Sequence, residues 1–225
     1  MRASIAIVGY TARKPPLQKE HRTSNGDARQ RVGFLQTPDA SEAAQRMFDE
    51  DIEDLGFVMN ASRLWAYAPE VCARLFDLLG SVTRLGSLSL RQRGVLVTAT
   101  ASTLGDAYCS LAWGSKLADQ SSATLAANVL RGVDDGLDDS ERALATWARR
   151  VASDPNGVTE GDVEELRSAG FSDTQIFAIT VYVAGRLAFS TVNDALGAQP
   201  DHELAARVHR EIRDAVHYGR PADLS

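Results

Sequence analysis

From Pro38 onward apolar residues recur at three- and four-residue intervals, with almost no alternation of period two, so the pattern predicts helix after helix. In PDASEAAQRMFDEDIEDLG, Asp39 or Ser41 supplies an N-cap, Ala44, Met47, Phe48 and Ile52 form one stripe, and Gly56 is the stop. The acidic run Asp49, Glu50, Asp51, Glu53 and Asp54 reads as the solvated face. ASRLWAYAPEVCARLFDLLGSVTRLG predicts a short helix to Tyr67 and a longer one from Pro69 to Gly86, with Val71, Leu75, Leu78, Leu79 and Val82 as its buried stripe and Cys72 beside it.

LSLRQRGVLVTATASTLG opens on Ser89 as a cap and is apolar nearly all round from Val95 to Leu104, the mark of a helix inside the bundle. Gly105 suits a left-handed C′ residue, and Asp106 caps a following helix to Ala118. DSERALATWARRVASDP and VTEGDVEELRSAG give two more capped helices. Ile176 to Val192 belongs to a long apolar helix of about 28 Å, and a last amphipathic helix spans Asp201 to Tyr218.

Sliding Ser89–Gly114 onto Ser172–Gly197 aligns Ser89 with Ser172, Gln92 with Gln175, Ala101 with Ala184 and Gly114 with Gly197. The shared order of cap, apolar helix and closing glycine points to a two-fold pseudo-repeat of the central helix pair. Asp106, Cys109 and Trp113 correspond to Phe189, Val192 and Leu196, so the second copy reads as plain core.

Composition narrows the function classes. A chain of 225 residues, 44% hydrophobic, can bury one good core. The start has no secretory pattern and no apolar run approaches a span, so the expectation is a cytoplasmic protein with no membrane partner. Residues 1–37 carry seven basic residues against Glu20 and Asp27, a balance of +5 within a net −6, which leaves the rest at −11. An acidic body argues against nucleic acid as a partner. The expected organisation is a disordered basic arm over 1–37, an all-α domain over 38–200, and a C-terminal amphipathic helix and tail over 201–225.

Several chemistries are excluded. Cys72 and Cys109 make neither a disulfide framework nor a CxxC pair, and His21, His202, His209 and His217 all lie in the terminal segments. No phosphate loop is present, and GVDDGLDD lacks calcium-loop spacing. No metal or cofactor is therefore expected. What remains is Cys109, which falls at N3 of its helix if Asp106 is the cap. Free amides and the helix dipole there lower a thiol pKa, and the Asp106 carboxylate raises it.

SLRQRGVLVTATASTLGDAYCSLAWGSKLA, continued by ERALATWARRVASDPNGVTEGDVEELRSAGFSDTQIFAITVYVAGRLAFSTVNDALG, resembles the carboxymuconolactone decarboxylase / alkylhydroperoxidase D (AhpD)-like family, in its two-half, peroxidase-related form. The resemblance covers residues 38–200. It implies an AhpD-like helical bundle that assembles as a homo-oligomer, a dimer, trimer or hexamer. Redox members of that family use a Glu, a C-x-x-C pair and a His. Here Cys109 falls on the peroxide-attacking cysteine, Asp106 on the resolving cysteine, Trp113 on the His and Gly94 on the Glu, and Tyr108 fits the family pattern. The resemblance implies a thiol-dependent alkyl hydroperoxidase working with one cysteine and an external thiol reductant, with Asp106 and Tyr108 assisting Cys109, and with Trp113 and Gly94 at the substrate pocket. A cofactor-free decarboxylase or lyase, with Arg91 or Arg93 binding an anion, is the alternative. A non-catalytic oligomeric small-molecule binder is the third.

Overall fold

Short polar side chains set the helix starts by holding the first free backbone amides. The computed structural model describes residues 31–222. In order these form β1 (Arg31–Val32), β2 (Leu35–Gln36), α1 (Glu42–Leu55), α2 (Asn60–Trp65), α3 (Pro69–Leu85), α4 (Leu90–Leu104), α5 (Ala107–Asp119), α6 (Ala123–Leu130), α7 (Asp139–Ser153), α8 (Glu160–Ser168), α9 (Asp173–Ala195), α10 (His202–Arg207) and α11 (Arg210–Arg213). Ser41 caps α1, and capping boxes open α4, α7, α8 and α9. The fold is all-α, as the periodicity indicates.

The helix without a polar face is central. Every residue of α4 from Gly94 to Ala101 is buried, and α4 packs against α5, α6, α7 and α9, while α3 lies along α9. Leu96, Leu117, Leu144 and Ile179 share this core, each fully buried. A second apolar cluster joins Met47, Met59, Trp65 and Cys72 to Tyr108, Cys109 and Phe189, so α1 and α2 cover the start of α5.

The two copies of the pseudo-repeat begin alike and continue differently. Ser89 with Gln92, and Ser172 with Gln175, form the same capping box. Gly105 then takes φ 73 and breaks the first copy into α4 and α5. Its counterpart Ala188 lets α9 run unbroken for 23 residues. By length and composition α9 could cross a membrane; here it lies between α3, α4 and α7.

Four expectations are corrected. The arm was read as reaching residue 37, but β1 and β2 pair across a turn at Gly33, and Val32 is buried with Leu64 and Ala198. Two-residue strands carry too little period to be legible; residues 1–30 lie outside those described. Asp51 is not on a solvated face: it is fully buried and accepts the Met59 amide at 3.0 Å. Val71 and Leu78, read as buried, are 56% and 46% exposed. The single C-terminal helix is two short ones, parted at Val208, whose ψ of 140° is extended, because Val208 and Ile212 both turn into the core.

Candidate active site

The α4–α5 junction holds the thiol. Asp106, in extended backbone geometry, accepts the Cys109 amide on Oδ1 at 2.9 Å and so places Cys109 at N3. Both side chains are buried, Cys109 at 2% exposure. Asp106 Oδ2 has no hydrogen-bond partner among the described residues.

The rest of the thiol's polar environment comes from the second copy. On α9, one turn apart, Arg186 Nη2 donates to Cys109 Sγ at 3.5 Å and Ser190 Oγ donates to it at 3.6 Å. Arg186 is itself buried and makes no ion pair among the described residues; its guanidinium carbon lies 5.2 Å from the Trp113 ring centre and 5.1 Å from that of Phe189. A buried cation without a carboxylate is costly, and the arrangement favours an anion beside it, either the thiolate or a bound ligand. In the resting state the thiol is nonetheless protonated: burial pushes the Cys109 pKa up, the Asp106 charge adds to that, and Arg186 and Ser190 pull it down without prevailing. The position at N3 does not decide the outcome.

The remaining candidates divide. Trp113 adjoins the site through Arg186, with Lys116 Nζ 4.7 Å from its ring centre. The Tyr108 hydroxyl is spent elsewhere, donating to Asp201 and accepting the Ala61 amide at 3.4 Å. Gly94 is a close-packing position: a Cβ there would meet Leu117 at 3.3 Å, two turns of α5 beyond Cys109. Cys72 is a free, buried thiol pushed up to about 12, chiefly by burial. Arg91 forms a bidentate pair with Glu141 that ties α4 to α7, and Arg93 lies beside Tyr182. In the acidic linker Asp134 pairs with Arg149 and Asp138 caps α7. No cluster of metal-ligating side chains occurs among the described residues.

Arg186, Ser190 and the C-terminal tail escaped the sequence reading. The tail folds back over the start of α5, where Tyr218 and Ser110 share a hydrogen bond of 3.0 Å and Arg220 donates to the Asp194 carbonyl at 2.8 Å. Gly219 takes φ 69, and any Cβ there would lie 2.4 Å from the Gly105 carbonyl oxygen. Between tail and helix is a cavity of about 320 Å³, lined by Ala107, Leu111, Arg213, His217 and Tyr218 among others. Asp194, half buried, is raised to about 6 by burial and by Asp106. A lone arginine inside an apolar helix was the available signal for Arg186, since such a charge is seldom buried without a role.

No protein-family model matches the sequence, and no curated protein matches it significantly. Solved structures do match. An uncharacterized peroxidase-related protein with an alkylhydroperoxidase AhpD core, from Ralstonia eutropha JMP134, superposes with a TM-score of 0.69 at 23% identity, covering 78% of this chain and 95% of that one. An uncharacterized peroxidase-related protein from Silicibacter sp. TM1040 gives 0.66 at 22% identity, with the same coverage. The debrominase Bmp8, as a cysteine-to-alanine variant in complex with 2,3,4-tribromopyrrole, gives 0.61 at 16% identity over 85% of this chain and 98% of its own. The fold is AhpD-like.

Proposed function

We propose that this AhpD-like chain is a one-cysteine, thiol-dependent hydroperoxide reductase in which Cys109 is the nucleophile. The observation that carries the reading is the meeting of Arg186 and Ser190, from one half, with the Cys109 sulfur of the other. Asp106 takes the thiol proton. The thiolate, held by Arg186, attacks the distal oxygen of an alkyl hydroperoxide; the O–O bond breaks, the alcohol leaves with a proton, and Cys109 becomes a sulfenic acid. Two equivalents of an external thiol restore it, releasing water and a disulfide. Trp113 and Phe189 supply apolar walls for an alkyl or aromatic substituent. The fold also hosts a debrominase, so the substrate class rests on this site and not on the fold.

One observation favours a second reading, a non-catalytic binder: burial and Asp106 together hold the resting thiol protonated. Steady-state consumption of cumene hydroperoxide with dithiothreitol, in the Cys72→Ser background, separates the two. The peroxidase reading expects turnover that disappears in Cys109→Ser; equal rates with and without Cys109 would leave the binder.

A further inference from the structure

Lys116 is an unusual residue for this chain. Lys14, Lys19 and Lys116 are its only lysines amid many arginines, and Lys116 is buried, at 5% exposure, on the inner side of α5. It makes no ion pair among the described residues, and its nearest recorded partner is the Trp113 ring. The charged groups acting on it are Arg186 and Arg93, which oppose its protonation, and Asp119 and Asp54, which favour it more weakly. Burial is the largest influence, and the result is an ammonium pKa well below the ordinary lysine value.

Lys116 also lines a cavity of about 30 Å³, distinct from the surroundings of Cys109. Leu55, Phe57, Met59, Leu204 and Val208 make its walls apolar, and Ser115 contributes a hydroxyl-bearing side chain. Half-buried Phe57 and exposed Arg207 form its rim, where Arg207 donates to the Leu55 carbonyl at 2.7 Å and lies 5.3 Å from the Phe57 ring centre. The volume exceeds the roughly 10–15 Å³ that one water occupies by the same measure, and its lining offers no carboxylate.

We propose that Lys116 is the nucleophilic amine of a second site, which takes a short uncharged aldehyde or ketone and holds it as a Schiff base. An amine kept neutral by an apolar cavity and by neighbouring cations is the form that attacks a carbonyl. The nitrogen lone pair bonds to the carbonyl carbon, a proton passes from nitrogen to oxygen, with Ser115 placed to relay it, and the carbinolamine loses water to give the imine. No oxidant or reductant enters. The site is independent of the peroxidase reading, because Cys109 takes no part in it.

The test is reductive trapping of the full-length protein with acetaldehyde and cyanoborohydride at pH 7, read by peptide mass spectrometry, with Lys14 and Lys19 as internal references. The expected result is ethylation of Lys116 about ten-fold or more faster than either reference, the gain that one unit of pKa depression gives. Cys109→Ser should label identically, and Ala112→Phe, which narrows the cavity, should suppress Lys116 labelling alone. An unmodified Lys116 in wild type, or one labelled no faster than Lys14 and Lys19, overturns the proposal, and because wild type decides this, a misfolded Ala112 variant does not blur the answer.

Discussion

The charge balance around one sulfur decides whether Cys109 reacts, and two substitutions divide that balance. Arg186→Met removes the cation that holds a thiolate; an opposite charge at this range is worth about one to three pKa units, so the rate of sulfenic acid formation should fall about ten-fold or more in stopped-flow measurements. Asp106→Asn retains an acceptor for the Cys109 amide, so α5 keeps its cap, and removes a negative charge that raises the thiol pKa. Iodoacetamide should then modify Cys109 faster at pH 8 while hydroperoxide reacts more slowly, because the proton acceptor is gone. Faster reaction with both reagents would reduce Asp106 to a cap. The placement of Cys109 at N3 was legible because cap and glycine stop are local signals. Arg186 and Ser190 were not, since only the packing of α9 on α5 brings residues 77 and 81 positions away to the sulfur.

At the scale of elements, the starts of the helices were legible in Ser89, Asp106, Thr159 and Ser172, whose side chains all cap as their positions indicate. What followed the caps was less so: an apolar pattern does not distinguish one long helix from two, and the second copy was taken for plain core although it buries Arg186, Ser190 and Asn193. Asn193 accepts the Trp65 indole N–H at 2.9 Å and anchors α2 to α9. The tail depends on a single glycine. Gly219→Val places a β-branched side chain at positive φ against the Gly105 carbonyl, which should cost about 1–3 kcal/mol, lowering Tm and speeding Cys109 alkylation by freeing the start of α5. An unchanged alkylation rate would mean that the tail does not limit access.

At the scale of the whole molecule, two buried carboxyls set the dependence of stability on pH. Burial is the main reason that Asp51 and Asp201 both stand at about 6 rather than 3.8. The folded state therefore binds their protons more tightly than the unfolded chain, and their contribution is full below pH 4 and lost as pH rises towards 6. Each is worth at most about 3 kcal/mol. Asp51→Asn, which keeps an acceptor for the Met59 amide, should raise Tm more at pH 8 than at pH 5; an equal change at both would show that Asp51 titrates normally. The same scale explains why three stripe residues of α3 were misplaced by their pattern: Val71, Leu78 and Leu85 form an exposed row with seven-residue spacing. We propose this row as the contact between copies in the homo-oligomer that the family resemblance implies, so Leu78→Glu should reduce the molar mass in light scattering, whereas a wild-type monomer would refute the assembly.

The most direct measurement is mass spectrometry of the Cys72→Ser protein after a brief pulse of cumene hydroperoxide with dimedone present. The account predicts a dimedone adduct on Cys109, formed in the wild-type background and much diminished in Arg186→Met. A Cys109 that stays an unmodified thiol through the pulse would contradict it.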